Sequence, residues 1–163
     1  MAHGDDNGLI LPPKIAPTQI ALIPIPGSAT ASSYAGEISN SLNKFRVEID
    51  KREGETAGYK FNKWEIKGVP VRIEVGEKEA KEQTVTLVRR DTGEKLVVNL
   101  KELTAKLDIL LGEIQNNLLT AHKNFTKENT HAVDDYEKFK EIMAGPKGFI
   151  SAFWCENLDC ELK

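Results

Sequence analysis

The side chains best suited to binding a ligand lie within residues 50–70, where aromatic and basic residues are interleaved. Unpaired bases stack on aromatic rings while lysine and arginine hold phosphates, so this mixture suits single-stranded RNA. The alternative is that Phe61 and Trp64 lie on one helical face and pack onto a sheet, with the lysines still pointing outward. The rings and ammonium groups concerned are those of Tyr59, Phe61, Trp64, Lys60, Lys63 and Lys67.

Carboxylates near these groups would add base specificity. Guanine offers N1–H and N2–H to an acceptor, and O6 and N7 to lysine or arginine. The nearby groups of those types are Asp50, Arg52, Glu65 and Arg72. The pair Arg89 and Arg90, beside a predicted hairpin, could hold phosphate, although a solvated turn is the simpler interpretation.

Two further groups resemble functional sites less specifically. Cys155 and Cys160 could supply two of the four ligands of a tetrahedral zinc ion, or remain two free thiols. His3 with Asp5 and Asp6 resembles a catalytic or metal group, but polar residues near a terminus are usually solvated. The sequence has no glycine-rich phosphate loop, nucleophile elbow or paired-carboxylate cleft, so the chain by itself is a poor candidate for an enzyme.

Composition narrows the class of partner. At 163 residues with 40% hydrophobic content, the chain can form one main domain with a small second module. A net charge of -3 argues against non-specific DNA binding. Between Lys44 and Arg72, however, eight Lys or Arg stand against five Asp or Glu, so a basic face could attract a polyanion. With no membrane-length apolar run and no signal peptide, we expect a soluble, cytoplasmic protein.

Hydrophobic spacing predicts the elements that position these residues. A nearly continuous apolar run at 18–24 indicates a strand covered on both faces, a four-residue spacing over 29–43 indicates a helix, and alternation over 44–50 indicates a half-exposed strand. The order of elements predicts a compact α/β domain with a mixed sheet. The pattern also predicts strands at 69–75, 84–88, 95–98 and 148–154, helices at 58–66, from 99 onward and at 134–143, a hairpin turn at 91–94, a charged connection at 77–82 and an extended connector at 1–17.

Three segments in this order closely resemble the archaeal and eukaryotic type of prolyl-tRNA synthetase: residues 3–17 (HGDDNGLILPPKIAP), residues 50–70 and residues 89–94 (RRDTGE). The similarity spans essentially the whole chain. It implies that residues 18–122 form the anticodon-binding domain of class IIa synthetases, an α/β fold with a mixed sheet flanked by helices. It also implies that residues 1–17 are the tail of a class II catalytic domain, and that residues 123–163 are a linker helix and the start of a C-terminal zinc-binding domain, a partial α+β module.

The resemblance implies a division of labour between this chain and a longer parent. The parent would be a proline-tRNA ligase that uses ATP and Mg²⁺ and dimerises through its catalytic domain. This fragment would not catalyse the reaction, because the ATP-binding arginine of the third class II motif is expected before Met1. It would only bind the anticodon stem-loop of proline tRNA, with no DNA or membrane partner.

Site residues carry over from the family by position. His3 matches a residue of the proline pocket, whereas Cys155 and Cys160 match the beginning of the zinc-binding domain, whose later cysteines are missing. Two alternatives are a free-standing tRNA-binding accessory protein and a protein-interaction module that uses the Trp64 face. The expected RNA contacts are Asp50, Arg52, Lys60, Phe61, Trp64, Glu65, Lys67 and, more weakly, Arg89.

Overall fold

The computed structural model describes residues 3–154 and 156–158. The chain forms two compact units, one ending at Leu118 and one beginning at Leu119, and the boundary falls inside a long helix. No helix in the described ranges is both long and apolar enough to cross a membrane. In chain order the elements are β1 (Gly4–Asp5), β2 (Gly8–Leu9), β3 (Ile20–Pro24), α1 (Ala29–Ser41), β4 (Val47–Ile49), α2 (Ala57–Ile66), β5 (Val71–Val75), α3 (Glu77–Glu82), β6 (Thr84–Arg89), β7 (Lys95–Asn99), a 3₁₀ turn (Leu100–Glu102), α4 (Leu103–Glu128), β8 (Thr130–Val133), α5 (Tyr136–Ala144) and β9 (Phe149–Ala152).

The first unit is built on a five-stranded mixed sheet in the order β4-β3-β5-β6-β7. Strand β3 pairs in parallel with both β4 and β5, whereas β5-β6 and β6-β7 are antiparallel. The chain therefore leaves β3 toward β4 on one side and returns to β5 on the other. Because such crossovers are right-handed, α1 and α2 must cover opposite faces of the sheet.

Packing on the two faces of β3 confirms this arrangement. Ile20 and Leu22 belong to the main core with α1 and α4, while Ala21 and Ile23 pack on the opposite face against α2. Every residue of β3 is buried, as predicted from its continuous apolar run. The predicted α/β fold with a mixed sheet and flanking helices is therefore confirmed.

A short hairpin of β1 and β2 is fastened to the end of α2. Arg90, itself buried, donates to both carboxylate oxygens of Asp5 at 2.6 and 2.9 Å, and its Nε donates to the Glu65 carbonyl at 3.1 Å. Gly68 has a φ of +72°, and a Cβ there would come within 2.6 Å of the Leu9 backbone. The prediction of an extended connector at 1–17 is wrong for these residues, because a buried guanidinium pins them as a paired element.

Most predicted elements are confirmed, but besides β1 and β2 the helix α3 and the strand β8 were not predicted. Residues 77–82 form α3 rather than a charged connection, because the Glu79 carboxylate accepts from the Gly76 amide at its N-terminus. The predicted helix beginning at Asn99 is confirmed after an intervening 3₁₀ turn. Strand β8 was not predicted, since its pairing partner β9 lies some twenty residues further along the chain.

The second unit contains the end of α4 followed by a β-α-β arrangement. Strands β8 and β9 pair in parallel, and α5 connects them. Asp135 caps α5 by accepting from the Glu137 amide, and the rings of Tyr136 and Phe139 stack at 6.2 Å. Val133 is the buried apolar residue of β8.

Candidate functional site

A cavity of about 670 Å³ opens where β3 and β4 end. Both strands are parallel, so the segments that follow them meet at one edge of the sheet. The carboxyl ends of parallel strands are where open α/β sheets generally bind ligands. One wall is the turn at 24–29, the other is the loop at 49–54, and α2 contributes Lys60.

The wall at 24–29 ends in three small residues, Gly27, Ser28 and Ala29, that lead into α1. Gly27 has a φ of +84°, which allows the tight turn after β3. The Ser28 hydroxyl oxygen caps α1 by accepting from the Ala31 amide at 3.2 Å and donates to the Glu77 carboxylate at 3.0 Å. The small side chains at 27–29 leave space for a ligand beside the N-terminus of α1.

Asp50 lies at the centre of the opposite wall and is 3% exposed. Its carboxylate accepts from Arg52 Nε at 2.8 Å, from Arg52 Nη2 at 2.5 Å and from Trp64 Nε1 at 2.7 Å. The hydrogen bonds from Arg52 hold the pKa of Asp50 at about 2, against the opposing effect of burial, and the Trp64 bond acts in the same direction. Asp50 in turn raises the pKa of Arg52, so both charges persist across the physiological range.

Lys60 is the second charged residue that the structure brings to the cavity. It is 2% exposed, and its Nζ donates to the backbone carbonyl oxygen of Asp50 at 3.3 Å. No carboxylate in the described part of the chain forms an ion pair with it. An ammonium group has three protons to donate, and burial without a counter-ion is unfavourable unless a ligand supplies acceptors.

Two of the three aromatic residues of α2 pack against the protein, whereas Tyr59 is 57% exposed. Trp64 and Phe61 contact the face of the sheet formed by Ala21 and Ile23, so the packing alternative is confirmed for both rings. Lys67 Nζ lies 4.2 Å from the centre of the Trp64 ring. An open stacking surface on Trp64, which the first interpretation required, is therefore absent from this structure.

The other expected RNA contacts on the sheet and α2 lie apart from the cavity. Arg72 is stacked on Phe61 at 4.7 Å and pairs with Glu74 at 2.9 Å and, more distantly, with Glu65 at 3.9 Å. A second, smaller cavity of about 150 Å³ is lined by Glu65 and Arg72 together with Arg89. The expected site is thus divided: Asp50, Arg52 and Lys60 line the larger cavity, whereas Phe61, Glu65, Lys67 and Arg89 do not.

Arg89 is held within the fold. Its guanidinium pairs with Asp91 at 2.8 and 3.0 Å and with Glu113 at 3.2 Å, and the residue is 7% exposed. The hydrogen bonds that Arg89 donates to Asp91 are the main cause that raises the pKa of Arg89. The interpretation of Arg89 and Arg90 as a solvated turn is therefore wrong, because both guanidinium groups are buried and paired with carboxylates. Asp5, expected to be solvated, is exposed and in addition pairs with Arg90.

Sequence reasoning did not identify Lys51, Glu53 or the turn at 24–29 as parts of the site. One signal was present: Pro26 and Gly27 follow directly on a buried strand, the position at which parallel sheets place their ligands. Cys155 and Cys160 lie outside the described residues. Within the described ranges, no group of three or more His, Cys, Asp or Glu residues is arranged to hold a metal ion.

Comparison with known proteins identifies the fold and its relatives. Residues 19–109 match the family model described as "Anticodon binding domain". The proline-tRNA ligase of Natranaerobius thermophilus is 45% identical over 168 aligned residues and proline-tRNA ligase 2 of Bacillus cereus 43% over 165, both covering 100% of this chain. The chain spans about a third of their length, 35% and 34%.

A solved structure agrees with these relatives. The crystal structure of prolyl-tRNA synthetase from Cryptosporidium parvum, complexed with L-proline and AMP, superposes with a TM-score of 0.90 at 38% sequence identity. The superposition covers 99% of this chain and 36% of that protein. The similarity therefore extends over both compact units.

Proposed function

Because this chain belongs to the anticodon-binding domain family, we propose that it is the part of a proline-tRNA ligase that grips the anticodon stem-loop of proline tRNA. The match of the whole chain to a third of each ligase supports this assignment. Residues 18–122 would form the anticodon-binding domain, residues 1–17 the tail of the catalytic domain, and residues 123–163 the start of the C-terminal module.

The longer protein would attach proline to its tRNA with ATP and Mg²⁺ in the cytoplasm, as a homodimer. His3 would belong to the proline pocket of that protein. Cys155 and Cys160 would be the first two ligands of its zinc site, and thiolates are ligands that zinc prefers. DNA is not proposed as a partner, since the net charge of the chain is -3.

The observation that supports RNA binding most directly is the buried ammonium group of Lys60 in the cavity. It has one long hydrogen bond to a carbonyl and no carboxylate partner among the described residues. An RNA ligand supplies acceptors in its phosphates and base edges. Arg52, held in place by Asp50 and Glu55, would provide a second, preorganised contact from the loop at 49–54.

The remaining expected contacts would act less directly. Trp64 would contribute by orienting Asp50, and Lys67 by its position at the exposed end of α2. Phe61, Glu65 and Arg89 would contact RNA only if the bound strand extended beyond the cavity along the sheet. The cavity residues should therefore have larger effects on affinity than these five positions.

The test is binding of a fluorescent proline-tRNA anticodon stem-loop to the chain, measured by anisotropy. Lys60→Met keeps the length of the side chain and removes its charge; we expect an affinity loss of about 10-fold or more, as for a charged hydrogen bond of about 1.5–3 kcal/mol. Lys81→Met, an exposed position on α3 outside the cavity, is the matched control.

Two results would contradict the proposal. The first is equal affinity for a stem-loop that carries a different anticodon, which would reduce the interaction to non-specific charge. The second is the same affinity for Lys60→Met and Lys81→Met. Binding that is undetectable at 50 mM salt as well as at 200 mM would also contradict RNA binding and favour the protein-interaction alternative, because RNA affinity is highest at low ionic strength.

A further inference from the structure

We propose that Glu53 is the residue that recognises a guanine in the cavity, and that Asp50 is a positioning residue that makes no base contact. This inference rests on the proposed function and assigns the specificity of the same site. Both carboxylates line the cavity, so their bonding partners decide between them.

The carboxylate of Asp50 is already fully engaged. Oδ1 accepts from the Nε of Arg52 and, at 3.3 Å, from its backbone amide, while Oδ2 accepts from Arg52 Nη2 and Trp64 Nε1. The side chain is 1% exposed. A base could reach these oxygens only by displacing Arg52 or Trp64, so Asp50 acts through the groups that it holds.

Glu55, the next candidate, already forms an ion pair with Arg52. Its Oε2 lies 2.7 Å from Arg52 Nη1 in an ion pair, and both atoms are buried without further hydrogen bonds. Glu53 differs from both. It is exposed, it lines the cavity, and it forms no hydrogen bond or ion pair within the described part of the chain. Among the carboxylates of this loop, Glu53 is the acceptor that a ligand can reach.

The groups that line the cavity match one base better than the others. The carboxylate of Glu53 can accept from N1–H and N2–H of guanine, while the ammonium of Lys60 has protons available for O6. Adenine would present N1, an acceptor, to the carboxylate and its N6 amine to the ammonium, so both contacts would be lost. A single-stranded base exposes this edge, whereas a paired one does not.

The test compares guanine with inosine, which lacks only the N2 amine. Each anticodon guanine of the stem-loop is replaced in turn by inosine, and affinities are measured for the unsubstituted chain, Glu53→Ala, Glu82→Ala and Asp50→Asn. We expect inosine at one position to weaken binding about 10-fold for the unsubstituted chain, since a good base contact gives a discrimination of this order. Glu82→Ala removes the same charge from an exposed position on α3 and should keep this ratio.

Substitutions of the two carboxylates should then have different effects on the guanine-to-inosine affinity ratio. In Glu53→Ala the guanine-to-inosine ratio should fall to about 1, whereas in Asp50→Asn the affinity should fall for both RNAs and the ratio should stay near 10. A comparison within each variant cancels the general gain in affinity from removing a negative charge. Loss of the ratio in Asp50→Asn but not in Glu53→Ala would overturn the assignment.

Failure of this inference is distinguishable from failure of the proposed function. If the unsubstituted chain binds the stem-loop but shows no guanine-to-inosine ratio at any position, Glu53 does not read the N2 amine while RNA binding stands. If the unsubstituted chain binds neither RNA, both proposals are overturned. The inosine result for the unsubstituted chain needs no substitution in the protein and is therefore independent of how any variant folds.

Discussion

Replacing Asp50 with asparagine should destabilise the first unit by about 2–3 kcal/mol at pH 7. The shift of the Asp50 pKa from 3.8 to about 2 corresponds to a preference of about 2 kcal/mol for the ionised form in the folded protein. Asparagine also places its NH₂ against donors in either orientation, because one oxygen of Asp50 accepts from Arg52 and the other from both Arg52 and Trp64. A buried donor left without an acceptor costs about 1–3 kcal/mol, which overlaps with the first estimate.

Urea unfolding followed by circular dichroism measures this effect. Asp108→Asn is the control, since Asp108 pairs with Lys44 on the surface and exposed pairs contribute at most about 1 kcal/mol. The folded-state pKa of Asp50 lies below its unfolded value, so the stabilisation is complete above about pH 4 and is lost as the pH falls toward 2. The difference between the two proteins must shrink in this window. A difference under about 0.5 kcal/mol at pH 7, or one that is constant from pH 5 to 2, would refute the reasoning.

Three further substitutions examine the framework around the site. Asp5→Asn removes the anionic partner of the buried Arg90 guanidinium, so backbone amides of the β1-β2 hairpin should exchange hydrogen faster; unchanged protection would show that the ion pair does not hold the hairpin. Gly68→Ala should destabilise by at least about 1–2 kcal/mol in urea, because φ is +72° and the new Cβ would contact the chain at 2.6 Å. Gly112→Ala, in an open position on α4, should raise stability by up to about 1 kcal/mol in the same assay, and a loss there would contradict the helix geometry.

The pattern of apolar residues in the sequence predicted most of the helices and strands. The continuous apolar run of β3 predicted a strand covered on both faces, and α1 and α2 do cover it. Helix α3 could not be found in this way, because five of its six residues are charged and Ala80 is its one apolar residue. Its formation depends on a cap from Glu79 and on packing against the sheet, neither of which leaves a period in the sequence.

The site was predictable in its composition but not in the roles of its residues. Residue types within 50–70 indicated carboxylates, cations and rings, and the structure brings Asp50, Arg52 and Lys60 to one cavity. The bond from Trp64 to Asp50 joins residues fourteen positions apart, so the sequence alone could not show that this carboxylate was occupied. Glu53, which has no special spacing, is distinguished only by the lack of a partner in the described structure.

The inward orientation of the Phe61 and Trp64 rings changes how this surface can select RNA. Stacking on exposed aromatics tolerates any base, because every base has a π face. Here the rings of Phe61 and Trp64 pack against the sheet. The charged groups at the cavity include the pair of Asp50 and Arg52, and also Lys60 and Glu53, which form no ion pair within the described structure. Asp50 neutralises the charge of Arg52, so few cations at the cavity lack a carboxylate partner. We therefore do not expect a large sequence-independent attraction to phosphates. Selectivity must then come from hydrogen bonds to a base edge, which is the chemistry that Lys60 and Glu53 together can provide.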